Sequence, residues 1–245
     1  MRFLLSVLLF LPMLSWALVF PIPKSSPAIV GHWQIIHVQP GDNLSQLARA
    51  YHVSINEIMQ ANSDIPSAHM IKIGQKLLIP TCYELPNLPR KGIVVNIDDQ
   101  TLYYYPKNKD EVYVFPVTVG TPENPTPVGI FKVIKKSMNP PWFPPKSVRA
   151  TFAKRGIELP AKVPPGKTNP LGKYVLYLNT PQYWIHTTPS VEALGGEQSY
   201  GCVRMYEDDV RVLYDNVNVN TRVHIIEQPI NHLALAKYCM PQSVN

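Results

Sequence analysis

Residues 92–106 read Gly-Ile-Val-Val-Asn-Ile-Asp-Asp-Gln-Thr-Leu-Tyr-Tyr-Tyr-Pro. β-Branched and aromatic side chains fill 93–97 and 101–105, and such residues suit a pleated surface better than a helix. Two strands are therefore expected, and the same reading extends to 111–119 and 129–133, with a last strand at 221–227. One segment in this half has good helical periodicity: Val210, Leu213 and Tyr214 share a face of 206–217. The second half of the chain is predicted to be a mostly β domain with one main helix behind its site.

A different pattern occupies 34–80. Residues 34–38 have strand character, and Pro40-Gly41-Asp42-Asn43 forms a turn in which Asp42 or Asn43 serves as helix N-cap. Leu44, Leu47, Ala48 and Tyr51 then recur at helical spacing. Ser54 and Glu57 form a capping box for a second helix, whose apolar face is Ile55, Ile58 and Met59. Gly74 turns into a strand at 75–79, stopped by Pro80. This is a small α+β module of order strand, helix, helix, strand.

At the N-terminus Arg2 precedes an apolar stretch over 3–14 and then Ser15-Trp16-Ala17, which predicts a signal peptide, 1–17, cleaved after Ala17. A membrane-spanning helix is the alternative, but it needs about 20 apolar residues and this run contains Pro12. The chain is therefore expected not to be integral to the membrane. The Pro-rich stretch 18–33 reads as a spacer, 81–91 as a linker, 92–228 as the main domain and 229–245 as a tail. A further Pro-rich segment, 136–171 with Pro140-Pro141-Trp142-Phe143-Pro144-Pro145, is expected to form a lid or wall over a cleft.

The formal net charge is +6, which favours acidic partners. Lys and Arg are spread without a block of like charge, so no nucleic-acid partner is expected. No residues cluster at zinc-ligand spacing and no Gly-rich loop suits phosphate, so neither metal nor cofactor is expected. The odd count of three cysteines in an exported chain suggests one disulfide and one reactive thiol. Because Cys202 lies in a distinctive motif, Cys82 and Cys239 are left to pair; two unpaired thiols are the alternative.

That motif is Ser199-Tyr200-Gly201-Cys202-Val203-Arg204-Met205, preceded by Tyr183-Trp184-Ile185-His186-Thr187-Thr188. A thiol of ordinary pKa near about 8.5 needs a neighbouring base or cation to react near neutrality. His186 suits both roles, holding the thiolate as an ion pair and later protonating a leaving amine. Gly201 permits a turn with close approach to the sulfur, the N–H groups of Gly201 and Cys202 suit an oxyanion, and Arg204 suits a carboxylate. Taken singly each has a plain alternative: a buried small side chain, a turn, a surface charge.

Residues 37–80 resemble the LysM module throughout, including the Gly41-Asp42 turn, Asn62 and the closing Gly-Gln-x-Leu-x-Ile-Pro. The resemblance implies a groove for N-acetylglucosamine-containing glycan lined by Gly41, Asp42, Asn43, Leu44, Asp64 and Ile65; alternatively Leu44 is core and Asp42 a cap. Residues 92–227 resemble the YkuD-type L,D-transpeptidase catalytic domain, a β-sandwich with one main helix. The likeness rests on His186 placed sixteen positions before Cys202, on Ser-x-Gly-Cys followed by an apolar residue and Arg, and on the Pro-Thr-Pro-Val-Gly-Ile-Phe stretch at 125–131. The Pro-rich 149–160 segment is similar to LysM-bearing periplasmic members from Gram-negative bacteria.

Two positions depart from the family: Thr187 stands where Gly is common, and Tyr200 where His is frequent. The resemblance makes Cys202, His186 and Thr187 catalytic, the last through the backbone carbonyl that orients the histidine. It makes Ser199, Tyr200, Gly201 and Arg204 substrate-binding, and leaves His224 structural. It implies attack on the third residue of a tetrapeptide stem, release of D-alanine and a thioester. The thioester is resolved by another stem to give a 3→3 cross-link, by a lysine of an outer-membrane lipoprotein, or by water as in an L,D-carboxypeptidase. Papain-like endopeptidases place Cys before His, the reverse of the order here. A non-catalytic peptidoglycan-binding protein is the remaining alternative.

Overall fold

The computed structural model describes residues 18–188, 194, 197–229 and 232–240; the expected signal segment 1–17 lies outside them. The elements are β1 (Leu18–Pro21), β2 (Ile29–Gly31), β3 (Gln34–His37), α1 (Leu44–Ala50), α2 (Ile55–Ala61), β4 (Lys76–Ile79) and β5 (Cys82–Glu84). They continue as β6 (Gly92–Asn96), β7 (Thr101–Tyr105), β8 (Glu111–Pro116), β9 (Val119–Gly120), β10 (Gly129–Met138) and α3 (Lys146–Ala153). The chain closes with β11 (Tyr174–Leu178), β12 (Trp184–Thr187), β13 (Glu197–Ser199), β14 (Val203–Met205), α4 (Glu207–Asn216), β15 (Arg222–Ile226) and α5 (His232–Cys239).

The small module is the expected one. Strands β3 and β4 pair antiparallel, Gln34 opposite Ile79 through His37 opposite Lys76. The Asn43 side chain, not that of Asp42, caps α1 by accepting from the Gln46 N–H at 2.9 Å. Asp42 instead accepts the Gln39 N–H at 2.7 Å and closes the turn. The Ser54–Glu57 capping box opens α2 as read. Asn62 donates to the carbonyls of Ile58 and Leu78 and accepts from the Leu78 N–H, tying α2 to β4. Leu44 and Ile65 are buried with Val38, Leu47, Ile58, Leu77 and Ile79. Their side chains are core, which corrects the expectation that they line a glycan groove; Gly41, Asn43 and Asp64 are exposed.

Among the described residues the main sheet runs β1-β8-β7-β6-β15-β10-β11-β12-β14. The sheet is mixed, and it curls so that both ends pack on a shared core, as expected of a sandwich. Ile93, Leu102 and Phe115 from one end meet Leu176, Ile185, Val203 and Met205 from the other, with Val210 and Leu213 of α4. The opposite face of β6–β8 presents Val94, Tyr103, Val112 and Val114, covered by Val30, Tyr83 and Leu85. Burial on both faces explains why 101–105 reads as a continuous apolar run rather than an alternating one.

Three connecting segments depart from expectation. Leu18–Pro21, in the expected spacer, is the edge strand β1, paired antiparallel with β8 from Leu18 opposite Val114 to Pro21 opposite Glu111. An edge position tolerates Pro21, whose missing N–H breaks no ladder. Cys82–Glu84, in the expected linker, pairs with β2. The expected tail contains α5, whose Cys239 carbonyl accepts the Trp33 N–H at 2.8 Å and whose sulfur is bonded to Cys82. In each case the partner is distant in sequence, so no local periodicity announces it.

The disulfide closes a loop of 157 residues and joins the small module's exit to the last helix. Replacing both Cys82 and Cys239 by Ser is expected to lower the unfolding free energy by about 2–5 kcal/mol. Denaturant titration of the double variant checks this.

Candidate active site

The site is assembled by β12 and β14, which lie parallel with Ile185 opposite Val203, His186 opposite Arg204 and Thr187 opposite Met205. Apolar Ile185, Val203 and Met205 point into the core, so period-two alternation turns His186 and Arg204 to the other face. Cys202 immediately precedes β14 and is half-buried. His186, Cys202, Arg204 and Tyr200 all line one cleft of about 460 Å³.

The loop before β14 is held by a chain of hydrogen bonds. Gly201 donates its N–H to the Ser199 hydroxyl at 3.0 Å, and that hydroxyl donates to the Cys202 carbonyl. Thr126, from the Pro-Thr-Pro stretch, donates to the Gly201 carbonyl at 3.0 Å and accepts the Gly120 N–H at 2.8 Å. Gly201 has φ +94°, and a Cβ there would stand 2.3 Å from the Tyr183 ring. Ser199 and Gly201, expected to touch substrate, brace the loop that carries Cys202. The Gly201 N–H is committed to Ser199, which leaves the Cys202 N–H as the remaining expected oxyanion donor.

His186 is buried, and its Nδ1 faces the Thr187 carbonyl at 2.8 Å. Thr187 thus meets the geometry expected of the orienting residue although it is not Gly. Its side chain is accommodated by Gly172, where an added Cβ would lie 2.5 Å from the Thr187 Cβ, and its hydroxyl accepts the Tyr174 N–H at 3.2 Å. Burial, with a smaller contribution from the Arg204 charge, pushes His186 down to about 4, against the pull of the Thr187 and Leu171 backbone.

Burial also pushes the Cys202 thiol above its ordinary value, opposed by the Trp184 backbone N–H and the Arg204 guanidinium. The sulfur's other near neighbour is the Gln182 carbonyl at 3.4 Å. Neutral thiol and neutral imidazole are the resting forms this environment favours, which corrects the expected thiolate–imidazolium pair. The physical reason is burial, which disfavours the charged form of each group. A neutral histidine remains a competent proton acceptor.

The Pro-rich segment forms a wall of the cleft. Trp142 and Val163 exchange backbone hydrogen bonds at 2.9 and 2.8 Å. Trp142, Val148, Phe152 and Leu159 line the cleft, and the Phe152 and Tyr200 rings meet at 6.1 Å between centroids. His224 sits in β15 opposite Ile130 and does not line the cleft. Sequence reasoning missed Thr126, Gly172 and Gln182; only Thr126 had a local signal, between two prolines that stiffen its loop.

Residues 90–225 match the L,D-transpeptidase catalytic domain family, YkuD, and residues 36–80 match the LysM domain. The probable L,D-transpeptidase ErfK/SrfK of Escherichia coli K12 is 38% identical over 231 residues, covering 92% of this chain and 73% of the relative. Another from the same organism, YcfS, is 36% identical over 216 residues, covering 86% and 67%. Among solved structures, the catalytic domain of the Enterococcus faecium L,D-transpeptidase aligns with TM-score 0.43 at 20% identity, over 58% of this chain and 100% of that one. The chain belongs to the L,D-transpeptidase family of cysteine-dependent acyltransferases and carries a LysM domain ahead of its catalytic domain.

Two measurements check this geometry. With a raised thiol and a histidine that is neutral above about pH 4, the rate of iodoacetamide labelling at Cys202 is expected to climb through the alkaline range. A plateau from about pH 5 to 8, the signature of a thiolate ion pair, would contradict it. Gly201→Ala is expected to lower kcat/KM about 100-fold by displacing the nucleophile loop, with the melting transition retained.

Proposed function

We propose that this protein is a periplasmic peptidoglycan L,D-transpeptidase whose nucleophile is Cys202. The observation that carries the reading is the placement of His186 and Cys202 on the lining of one cleft, held by the parallel β12–β14 pair. The donor is a tetrapeptide stem. As the Cys202 sulfur bonds to the carbonyl carbon of the third residue, its proton passes to His186. The bond to D-alanine then breaks, and His186 returns the proton to the leaving amine. The thioester is resolved by an amine acceptor that loses its proton to His186, which restores the thiol as the carbon–sulfur bond breaks.

Arg204 stabilises negative charge at the sulfur and offers a planar donor face to a stem carboxylate. Tyr200, with Phe152 beside it, shapes the acceptor side in the place where relatives often carry His. The LysM module, read as 34–80, holds glycan through its exposed turn at Gly41, Asp42 and Asn43 and through Asp64, while 92–228 acts on the stems. The acceptor is a second stem or a lysine of an outer-membrane lipoprotein; water in its place makes the enzyme a carboxypeptidase.

An exported location is supported by the signal-like residues 1–17 and by the Cys82–Cys239 disulfide, since such bonds persist in oxidising compartments. No helix among the described residues is long and apolar enough to cross a membrane.

The mature protein incubated with disaccharide-tetrapeptide is expected to release D-alanine and yield a cross-linked or tripeptide product by mass spectrometry. Cys202→Ala is expected to abolish turnover, and His186→Gln to reduce kcat by about 10²–10⁴. D-Alanine release undiminished in Cys202→Ala would overturn the assignment.

A further inference from the structure

A second cavity, of about 620 Å³, opens between the LysM module and the catalytic domain. One wall is Arg49 of α1, and another is the start of α4 at Glu207 and Asp208. The third is the loop carrying Lys167 and Lys173. The same loop faces two ways: Thr168, Pro170 and Leu171 line the catalytic cleft, while Lys167, Asn169 and Lys173 line the crevice. Thr187, whose carbonyl holds His186, stands at the crevice's inner end. The two cavities are thus separated by a single thickness of chain.

We propose that this crevice is a second binding subsite for a peptidoglycan stem peptide, distinct from the stem being acylated. The inference rests on the reading of the protein as a peptidoglycan enzyme. Its basis is the charge pattern of the lining: three cations, Arg49, Lys167 and Lys173, face two carboxylates, Glu207 and Asp208. A stem whose third residue is a diamino acid carries both carboxylate and amine, and this lining offers a counter-charge to each. The neutral hydroxyl and acetamido groups of glycan gain less from such a lining than a charged stem does, and Tyr206 is its one aromatic among the described residues.

The crevice is preformed rather than a gap between loosely tethered units. His52 Nδ1 of the LysM module meets Asp209 Oδ1 of α4 at 2.9 Å, with side chains 7% and 1% exposed. Arg49 pairs with Asp208 at 2.7 Å beside it. On the far side the buried Asn169 donates to the Pro140 and Pro164 carbonyls and accepts the Leu171 N–H, fixing the loop. Preformed polar pockets lose little order when they fill.

By contrast, the lining charges are open to exchange. The Arg49–Asp208 pair is 51% and 41% exposed, and Lys173 lies 3.7 Å from Glu207 with both about half exposed. Exposed pairs of this kind contribute little, so a ligand's charges replace them readily. Among the described residues Lys167 has no ion-pair partner.

Cosedimentation with purified sacculi tests the assignment, using intact material and material stripped of stems by an amidase, with the lactyl carboxylates so exposed capped as neutral amides. Lys167→Glu/Lys173→Glu is expected to bind intact sacculi about tenfold more weakly than the wild type and stripped glycan equally well. D-Alanine release from soluble disaccharide-tetrapeptide should be unchanged, and Lys167→Gln should give a smaller loss if the double variant folds poorly. Undiminished binding of these variants to intact sacculi would overturn the proposal. So would an equal loss on stripped glycan, or wild-type protein that does not prefer intact sacculi. If the wild type released no D-alanine from any donor, the enzymatic reading would fail while sedimentation still decided the crevice.

Discussion

The parallel pairing of β12 with β14 is the constraint on which the rest depends. Three residue pairs set His186 against Arg204 and bring Cys202 to the start of the neighbouring strand. A slip of one residue would turn His186 into the core and Ile185 into the cleft. The register is protected because Ile185, Val203 and Met205 are buried in the shared core with Val210 and Leu213. The helix behind the site therefore acts on the chemistry by holding a register, without touching the cleft.

That scaffold also sets the electrostatics. It buries the histidine and narrows solvent access to the thiol, which favours the neutral form of each. Catalysis then asks for proton transfer during attack, with Arg204 and the Trp184 N–H in place to steady the charge as it forms on sulfur. Holding donors fixed before charge develops is how a site of low dielectric lowers a barrier. The cost falls on the loop: Gly201 adopts φ +94° and is tied through Ser199 and Thr126 so that the sulfur cannot drift.

What the sequence announced is what is local. The LysM helices and their capping box are legible because every contact that defines them lies within a few residues. The strands at 92–96 and 101–105 are legible because side-chain type alone favours them. Strands β1 and β5 and helix α5 were hidden because each is stabilised by a partner far along the chain. The choice of Asn43 over Asp42 as cap depends on turn geometry that composition does not encode. The motif singled out Cys202 and His186, but the burial that favours their neutral forms is a product of the fold, and Gly172's role appears only once Thr187 is seen against it.

The two units are joined by more than a tether. A buried His52–Asp209 contact joins the LysM module to the domain that carries the thiol, while the paired β2 and β5 that flank the module pack on the β6–β8 face and the disulfide ties β5 to α5. The central claim, that Cys202 becomes acylated in this setting, is tested most directly by acid-quenching the enzyme seconds after mixing with tetrapeptide donor and mapping the adduct by mass spectrometry. The account predicts one acyl group, lacking D-alanine, on the peptide that contains Cys202. D-Alanine release with no adduct on Cys202, or with the adduct on another residue, would contradict it.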